Sequence, residues 1–303
     1  MPAAGRSSYR HLDTEIVARL LASQFPDLAG EPVTRLGAGW DNDLFCAAGW
    51  VFRFPRRAER VAWLLREAEI TAVAAETLGT MIPAFERTGE PAGGFPYPFV
   101  GYRRLPGVAA DEVGAAGLPG LAADIGALFS ALHRIDPARI PPAPGGREPE
   151  RGMLAGELAA VAGRVRPLLR PGLLGPAEPY LAGQVAEPPR DGPRRFIHND
   201  ICPDHVLADP GTGRLTGLID FGDAMVGDPA RDFTGLIGVG DVGFIDRVAA
   251  SYSLPLDSGF GARLGWLTRT LTLIWLADAA DEDPASIPKL LTWVDRAFAR
   301  TRA

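Results

Sequence analysis

The spacing of apolar residues changes twice within the first third of the chain. Apolar side chains recur at helical spacing from Thr14 to Phe25, which predicts a helix. The segment from Glu31 to Arg57 shows short runs of β-forming residues around the sequence GAGWDND, which predicts strands joined by a glycine turn. A second helical pattern runs from Glu59 to Leu78 and is followed by AFERTGEPAGGFPYPFVGYRRLPG, whose Gly/Pro-rich centre and apolar return strand predict a hairpin.

Helical patterns dominate the rest of the chain, where strands are brief. The predicted helices are Leu118–Ile135, Gly152–Leu169, Gly261–Ala279 and Ala285–Arg300. The predicted strands are Arg195–Ile197, Val206–Ala208 and Thr216–Ile219. At 303 residues the chain exceeds the usual size of a single core. The pattern therefore predicts an α+β fold with two lobes: a small, strand-rich N-terminal lobe, residues 1–104, and a larger, mainly helical C-terminal lobe, residues 105–303.

Composition excludes several classes of function. The formal charge of -6 argues against a nucleic-acid partner, because proteins that bind nucleic acid usually carry a basic face. The two cysteines lack metal-ligand spacing, and so few in a chain this long indicate a reducing compartment. No apolar run approaches the roughly 20 residues that span a bilayer, and the N-terminus has no apolar signal core. We expect a cytoplasmic protein without a membrane partner.

Two short polar stretches stand where apolar strands are predicted to end. The polar residues of HNDICPDHVL, residues 198–207, lie between the apolar runs RFI and VLA and so form a loop, a common place for catalytic groups. Asp220 ends another apolar run in LTGLIDFGD. If the strands are neighbours, Asp200 and Asp220 lie close enough to bind Mg²⁺ or to accept a proton from a hydroxyl. His205 is placed to contact the same metal or a phosphate oxygen.

These two stretches resemble the catalytic and metal-binding loops of the protein-kinase-like fold, H-R-D-x-x-x-x-N and D-F-G. The resemblance is closest to the aminoglycoside and macrolide phosphotransferases, some of which have histidine in place of the loop asparagine. GDPARDF, residues 227–233, is similar to the segment that follows the metal-binding aspartate in that family. The similarity extends from about Glu31 onward and implies a bilobal kinase fold.

The resemblance implies a role for each loop residue. Asp200 corresponds to the catalytic base or the group that orients the acceptor hydroxyl, and Asp220 to the ligand of Mg²⁺ between the phosphates. His205 takes the second metal-associated position. His198 is expected to brace the loop by hydrogen bonding. ATP or GTP is the implied phosphate donor. These residues suit phosphoryl transfer, because that reaction depends mainly on alignment and charge neutralisation.

The resemblance also assigns the nucleotide-binding residues of the first lobe. Kinases of this fold place a strand lysine on the phosphates, but the only lysine here is Lys289, so Arg53 in WVFRFPRR is the implied replacement. Its helix partner is expected to be Glu67, with Glu69 as the alternative. Two further sets complete the assignment. The phosphate-covering turn contains Gly37 and Gly39, and the base-binding strand and hinge contain Tyr102, Arg103 and Leu105.

The acceptor is less well defined by sequence. Kinases of polycationic aminoglycosides line their acceptor site with carboxylates, yet Asp241 is the only acidic residue in TGLIGVGDVGF after GDPARDF. Asp278 in a later acidic cluster and Trp275 on the preceding helical pattern are further candidates. An aminoglycoside and a less charged, sugar-bearing antibiotic such as a macrolide are therefore equally consistent with the sequence.

Three functions remain open at this point. The leading one is a kinase that transfers the γ-phosphate of ATP or GTP to a hydroxyl of an antibiotic-type small molecule and so confers resistance. A kinase of a small metabolite such as choline, homoserine or a sugar has the same fold and loop chemistry. A nucleotide-binding pseudokinase is the third, because Arg53 and His205 replace the usual lysine and asparagine.

Overall fold

A computed structural model describes residues 12–38, 41–144, 153–189 and 192–300. These described residues form nine α-helices and ten strands in two compact units. The first unit contains the described residues up to Pro106 together with residues 141–144. The second contains Gly107–Ile140 and the described residues from Met153 onward. The functional division predicted after residue 104, into a nucleotide-binding and a catalytic lobe, remains a prediction.

The first unit is built on one antiparallel sheet. Its strands are β1 (Val33–Ala38), β2 (Asn42–Ala47), β3 (Trp50–Pro55), β4 (Phe85–Gly89) and β5 (Phe99–Arg103), in the spatial order β1-β2-β3-β5-β4. Two helices accompany the sheet, α1 (Thr14–Gln24) and α2 (Ala58–Leu78). Asp13 caps α1 by accepting a hydrogen bond from the Ile16 N–H at 2.8 Å, which satisfies one of the free donors of the first turn.

Phenylalanine rings fill the core between this sheet and α1. Phe52 and Phe54 on β3 are fully buried, and Phe54 stacks on Phe99 with ring centroids 4.5 Å apart. Because side chains alternate along a strand, the residue between them, Arg53, points to the other face of the sheet. Gly101 leaves the space that the ring of Phe52 occupies, since a Cβ there would lie 2.5 Å from that ring.

The second unit is mainly helical. Its helices are α3 (Leu118–Leu132), α4 (Met153–Val165), α5 (Pro171–Leu181), α6 (Ala230–Thr234), α7 (Phe244–Ser251), α8 (Phe260–Glu282) and α9 (Ile287–Ala299). Its short strands are β6 (Val108–Ala109), β7 (Arg195–Ile197), β8 (Val206–Ala208), β9 (Leu215–Leu218) and β10 (Met225–Gly227). They form the antiparallel pair β7-β10 and a three-stranded sheet in the order β6-β8-β9. No helix in the described ranges has the length and apolar character needed to cross a bilayer.

The predicted α+β architecture, strands first and helices after, is confirmed. The helix α5 escaped prediction because Pro176 and Pro179 lie inside it and proline is read as a helix breaker. The expectation that the strands before Asp200 and Asp220 are neighbours is wrong. The strand before Asp200 is β7, which pairs with β10, whereas the strand before Asp220 is β9, which pairs with β8. The chain turns after Asp220 and returns as β10 beside β7.

A tight backbone contact at Gly235 in the second unit predicts a strong effect of one substitution. A Cβ at Gly235, which follows α6, would lie 1.6 Å from the carbonyl oxygen of Ile201. Gly235→Ala therefore forces two backbone segments apart, and we expect the free energy of unfolding to fall by about 3 kcal/mol in urea denaturation. Gly163→Ala is the matched control, because Gly163 lies exposed in α4 with open space at its Cβ position. It should raise stability by about 0.5–1 kcal/mol. Equal effects of the two substitutions would contradict this packing.

Candidate active site

The polar loop predicted after RFI lies where β7 ends. Its first residues, His198 and Asn199, follow β7 directly, and a 3₁₀ turn, Pro203–His205, leads into β8. Asp220 follows β9 in the same way. Asn199 and Asp220 adopt left-handed backbone conformations, with φ of 69° and 67°. Asparagine and aspartate tolerate this conformation better than most residues, and such strained positions concentrate at functional sites.

The structure brings Asp200, His205 and Asp220 together. The imidazole of His205 lies between the two carboxylates, with Nδ1 3.4 Å from Asp200 Oδ2 and Nε2 3.7 Å from Asp220 Oδ2. Nδ1 also donates a hydrogen bond to the carbonyl oxygen of Asp200 at 2.8 Å, which fixes the ring plane. Both carboxylates keep solvent access, since 45% of the Asp200 side chain and 39% of the Asp220 side chain are exposed. Two acceptor carboxylates therefore open to solvent from separate loops.

The surroundings change the proton affinities of this group. Desolvation raises the pKa of Asp200 to about 7, with smaller contributions from Asp223 and Asp220, while His205 opposes the rise. Burial alone would lower the pKa of His205, but a hydrogen bond with Cys202 and the charges of Asp200 and Asp220 raise it well above its ordinary value. The site thus combines a carboxyl that titrates near neutral pH with an imidazole that favours its charged form.

A magnesium ion fits one of these residues better than the other. Mg²⁺ binds oxygen ligands, commonly one or two carboxylates completed by phosphate oxygens and water. The exposed carboxylate of Asp220 meets this requirement. An imidazole nitrogen is a softer ligand than Mg²⁺ prefers, whereas a ring N–H suits a phosphate oxygen. The second metal-associated role of His205 therefore stays a prediction, with phosphate contact as its chemically favoured form.

His198 braces the two loops against each other. Its ring is fully buried, Nε2 bonds to the carbonyl oxygen of Ile219 at 3.0 Å, and Nδ1 accepts from the backbone N–H of Asp200 at 3.3 Å. These partners place the proton on Nε2. Burial lowers the pKa of His198 to about 4, so the ring is neutral. One imidazole thus links the residue before Asp220 to the backbone of Asp200.

A buried carboxylate outside the predicted set anchors the loop. Asp232 Oδ2 accepts from the backbone N–H of His198 and from His133 Nε2, both at 2.9 Å, and Oδ1 accepts from the backbone N–H of Asn199 at 2.7 Å. His133 Nδ1 in turn bonds to the hydroxyl of Tyr252 at 2.8 Å. Burial alone would raise the pKa of Asp232, but its hydrogen bonds with His133 and with the backbone N–H of Asn199 hold it below its ordinary value. The carboxylate is therefore ionised and holds two successive backbone N–H groups of the loop.

Arginines fix the segments on either side of this anchor. Arg231 Nε donates to Asn199 Oδ1 at 2.9 Å, so the α6 segment holds the loop through a side chain as well as through Asp232. Arg263 on α8 is buried between two carboxylates, donating to Asp228 at 2.6 Å and to Asp257 at 2.7 Å. These hydrogen bonds lower the pKa of Asp257 to about 2. The turn before α6 is thus tied to α8.

The predicted arginine and glutamate of the first unit form a buried ion pair. Arg53 NH1 lies 2.6 Å from Glu67 Oε1, and both side chains are almost fully enclosed. The competing residue, Glu69, is exposed on α2. Burying an ion pair costs free energy unless its geometry is good. The Arg53–Glu67 pair lies on the face of the sheet opposite the phenylalanine core, so that face keeps two buried charges. The nucleotide-binding role of this pair stays a prediction.

The remaining predicted nucleotide-binding residues lie on or beside two strands of this sheet, the edge strand β1 and the interior strand β5. Gly37 stands at a register shift of β1, whereas Gly39 lies outside the described residues. Tyr102 is buried in β5 against the ring of Phe85, with centroids 5.4 Å apart. Arg103 stacks over Trp50 at 4.0 Å, and Leu105, half-buried, follows the strand.

The three acceptor candidates lie in two different regions of the second unit. Asp241 precedes α7 and pairs with Arg247 at 3.0 Å, a hydrogen bond that lowers the pKa of Asp241. Trp275 and Asp278 lie one turn apart on α8. Trp275 contacts Trp293 edge to face, and burial raises the pKa of Asp278. Their roles in acceptor binding remain predictions.

Comparison with known proteins identifies the family. A family model described as the phosphotransferase enzyme family matches residues 32–266. The chain belongs to this family. Solved phosphotransferases share its fold. The GDP complex of aminoglycoside 2'-phosphotransferase-IIIa superposes with a TM-score of 0.72 at 22% identity over 95% of this chain and 99% of that chain. Macrolide 2'-phosphotransferase MphH from Brachybacterium faecium gives 0.60 at 20% identity, over 93% of this chain and 98% of that chain.

Similarity to curated sequences is local. An aminoglycoside 3'-phosphotransferase of Streptomyces fradiae is 54% identical over 35 residues, which are 12% of this chain and 13% of the relative. The protein YcbJ of Bacillus subtilis (strain 168) is also 54% identical, over 38 residues that are 12% of either chain. The chain thus aligns with only about an eighth of the length of these two relatives. The resemblance to aminoglycoside and macrolide phosphotransferases inferred from the loop motifs is confirmed at the level of family and fold.

The anchor predicts a large effect of a nearly isosteric change. Asp232→Asn keeps the size of the side chain but turns an NH₂ group toward at least one of the N–H donors around it. We expect the free energy of unfolding to fall by about 3 kcal/mol, because a buried hydrogen-bonded charge is lost. Asp295→Asn, on the surface of α9, is the control and should change stability by less than about 0.5 kcal/mol.

The same two proteins give a pH test of the anchor. Because the pKa of Asp232 in the folded chain lies below its ordinary value of 3.8, the unfolded chain binds this proton more readily. The stabilisation that the ionised Asp232 contributes is therefore complete above its unfolded-state pKa and is lost as the pH falls through its lower folded-state pKa. The stability difference between wild type and Asp232→Asn should therefore be constant at neutral pH and shrink as the pH falls below 3.8. A difference that grows in acid would contradict an ionised anchor.

Proposed function

We propose that this protein is a magnesium-dependent kinase that transfers the γ-phosphate of a purine nucleoside triphosphate to a hydroxyl of an antibiotic-type small molecule. The observation that carries the proposal is the placement of Asp200 and Asp220 on either side of His205, each on its own loop and open to solvent. Phosphoryl transfer needs one group to orient the attacking hydroxyl and another to neutralise the phosphates. The His205 imidazole lies between the two carboxylates, 3.4 Å from Asp200 Oδ2 and 3.7 Å from Asp220 Oδ2.

In this proposal Asp200 accepts a hydrogen bond from the acceptor hydroxyl and takes its proton as the new oxygen–phosphorus bond forms. The bond between the γ-phosphorus and the bridging oxygen breaks, and the nucleoside diphosphate leaves. Asp220 holds Mg²⁺, which supplies positive charge to the phosphates. His205, positively charged, contacts a phosphate oxygen. The anchored loop keeps Asp200 in position, which matters because orientation accounts for much of catalysis.

The first unit supplies the nucleotide-binding residues of the proposal. Arg53, aligned by Glu67, binds the phosphates, and Gly37 and Gly39 let the backbone of the turn approach them. The strand and hinge residues Tyr102, Arg103 and Leu105 border the purine. Similar solved structures include a GDP complex of aminoglycoside 2'-phosphotransferase-IIIa and a ternary complex of another phosphotransferase with streptomycin and ATP. ATP and GTP are therefore both proposed as phosphate donors.

The solved structures similar to this chain support an antibiotic-type acceptor. They include complexes of aminoglycoside phosphotransferases with kanamycin and with gentamicin, and they also include macrolide phosphotransferases. A soluble acceptor modified in the cytoplasm, without a nucleic-acid or membrane partner, completes the proposal. Phosphorylation of the acceptor inactivates the antibiotic and confers resistance.

The proposed role of Asp200 is tested by removing its charge alone. Asp200→Asn should lower the rate of magnesium-dependent phosphate transfer by about 10³-fold, because proton acceptance is lost, while nucleotide binding persists. The measurement is mass spectrometry of a panel of antibiotics and metabolites incubated with ATP or GTP. Asp13→Asn is the control, since asparagine caps α1 as well as aspartate does. Unchanged transfer by Asp200→Asn would refute the assignment, and transfer to a metabolite alone would replace the acceptor class.

The proposed role of Arg53 is tested by a change that preserves its charge. Arg53→Lys keeps a cation beside Glu67 but loses the planar guanidinium that binds two phosphate oxygens at once. We expect the nucleotide dissociation constant to rise roughly tenfold. Calorimetric titration with ATP and GTP measures it, and Arg87→Lys, whose partner is Asp27, serves as the control. Nucleotide affinity unaffected by Arg53→Lys would remove Arg53 from the phosphate site.

A further inference from the structure

A cavity of about 550 Å³ opens on the second unit. Its described wall comes from the segment before α3 and the first residue of that helix, from the turn between α6 and α7, and from α9. The volume falls within the range of about 300–1,000 Å³ that is typical of small-molecule sites. Asp241, which the sequence predicted as an acceptor-binding residue, belongs to this wall.

The cavity wall packs against the loop of the proposed catalytic site. A Cβ at Gly238, which lines the cavity, would lie 2.6 Å from Cγ of Pro203, the first residue of the 3₁₀ turn that ends at His205. Asp204 in the middle of that turn lies 3.9 Å from Nζ of Lys289, another residue of the wall. A molecule in the cavity therefore adjoins the turn that carries the imidazole of the proposed phosphate site.

Lys289, the only lysine of the chain, connects two aspartates beside this cavity. Its Nζ lies 2.9 Å from Asp111 Oδ2 and 3.9 Å from Asp204 Oδ2. Burial alone would lower the pKa of Lys289, but its hydrogen bond with Asp111 and the charge of Asp204 raise it above its ordinary value. The ammonium also lies 5.4 Å from the ring centre of Trp293, within the reach of a cation–π contact. The two carboxylates thus share one cation that the chain itself supplies.

The other charged groups of the described wall have partners as well. Asp241 accepts from Arg247 at 3.0 Å and from the backbone N–H of Gly243 at 2.9 Å. Arg296 donates to the carbonyl oxygen of Ile237 at 3.0 Å. The described wall thus contains as many cationic side chains as carboxylates. It lacks the acidic excess that attracts a polycation.

An ammonium group of a ligand could take the position that the Lys289 ammonium now occupies. Asp111 and Asp204 lie close enough to each other to hold one cation between them. The Lys289 side chain is 41% exposed, so this position is open to solvent. A lysine amine and the amine of an amino sugar carry the same charge and the same kind of N–H donors, so they compete for the same carboxylates.

We infer that this cavity binds part of the acceptor, and that Lys289 determines the acceptor class by occupying the place of an acceptor ammonium group. The inference rests on the proposed kinase function and distinguishes between the two acceptor types that the sequence left equal. A sugar-bearing acceptor with few charges, of which a macrolide is an example, is the preferred class. Aminoglycosides, with several ammonium groups, are the disfavoured class.

The test measures binding of kanamycin, a polycation, by calorimetric titration without nucleotide. Lys289→Met keeps most of the side-chain length and removes the charge. The Kd of kanamycin should fall roughly tenfold, because two carboxylates become available to a multiply charged ligand in a partly exposed site. Lys289→Gln, which retains N–H donors without the charge, should show a similar gain. The Kd of erythromycin, which has one amine, should change by less than about twofold in both variants.

A double variant separates the effect of charge from a change of shape. Lys289→Met combined with Asp111→Asn removes the cation together with its nearest carboxylate, so the Kd of kanamycin should return to within about threefold of wild type. Arg166→Met is the control, because it removes a cation from another ion pair of the second unit, with Glu178 at 2.8 Å. It should leave the Kd unchanged. No gain in either variant of Lys289, a full gain in the double variant, or an equal gain in Arg166→Met overturns the inference.

Phosphate transfer is measured separately, so failure of this inference is distinguishable from failure of the proposed function. With Mg²⁺ and ATP or GTP, wild type should have a higher kcat/KM for erythromycin than for kanamycin, and Lys289→Met should shift the ratio toward kanamycin. Transfer by wild type that favours kanamycin leaves the kinase function standing and overturns the acceptor class. Absence of both transfer and Mg²⁺-dependent nucleotide hydrolysis overturns the proposed function and, with it, the inference.

Discussion

The site depends on one buried carboxylate. Asp232 is fully enclosed and accepts hydrogen bonds from two successive backbone N–H groups of the loop that carries Asp200, and from a histidine of the α3 region. A charge in the interior is costly unless donors surround it, so the loop and the carboxylate stabilise each other. The loop could not leave this position without exposing an unsatisfied charge. This constraint lets the next residue, Asp200, remain solvent-exposed and still well positioned.

A small number of hydrogen bonds also positions Asp220. β9 does not pair with β7, so no strand ladder aligns the two predicted loops directly. His198 provides the link instead, because its ring bonds to the carbonyl oxygen before Asp220 on one side and to the Asp200 backbone on the other. His205 then fills the space between the carboxylates. Left-handed backbone at Asn199 and Asp220 is the strain that these contacts hold in place.

The sequence predicted the exposed residues of this site better than the buried ones that support them. Asp200, His205 and Asp220 were identifiable because polar residues directly after short apolar strands indicate a functional loop. The sequence around Asp232 and His133 gives no such signal. An aspartate or histidine that anchors a loop in the interior is the same residue type as one on an exposed turn, and only the tertiary fold distinguishes them. GDPARDF was a signal for Asp232, whereas His133 at the end of a helical pattern had none.

Two further features could not be predicted from the sequence, because they depend on which way a helix faces and on packing between distant segments. Glu67 and Glu69 point about 200° apart on a helix, so the choice between them depends on where the sheet lies relative to α2. A cavity beside Asn199 combines Leu154 of α4, Met225 of β10 and Leu267 of α8, which lie far apart along the chain. Periodicity within one element carries no information about such an assembly.

The proposed mechanism requires Asp200 and Asp220 to act on opposite sides of one phosphoryl group. The most direct measurement is a crystal structure of the protein with Mg²⁺ and a non-hydrolysable ATP or GTP analogue. In that complex a carboxylate oxygen of Asp220 should bind the metal, and the carboxylate of Asp200 should face the terminal phosphorus from the acceptor side. A metal bound elsewhere, or a terminal phosphate turned away from Asp200, would contradict it.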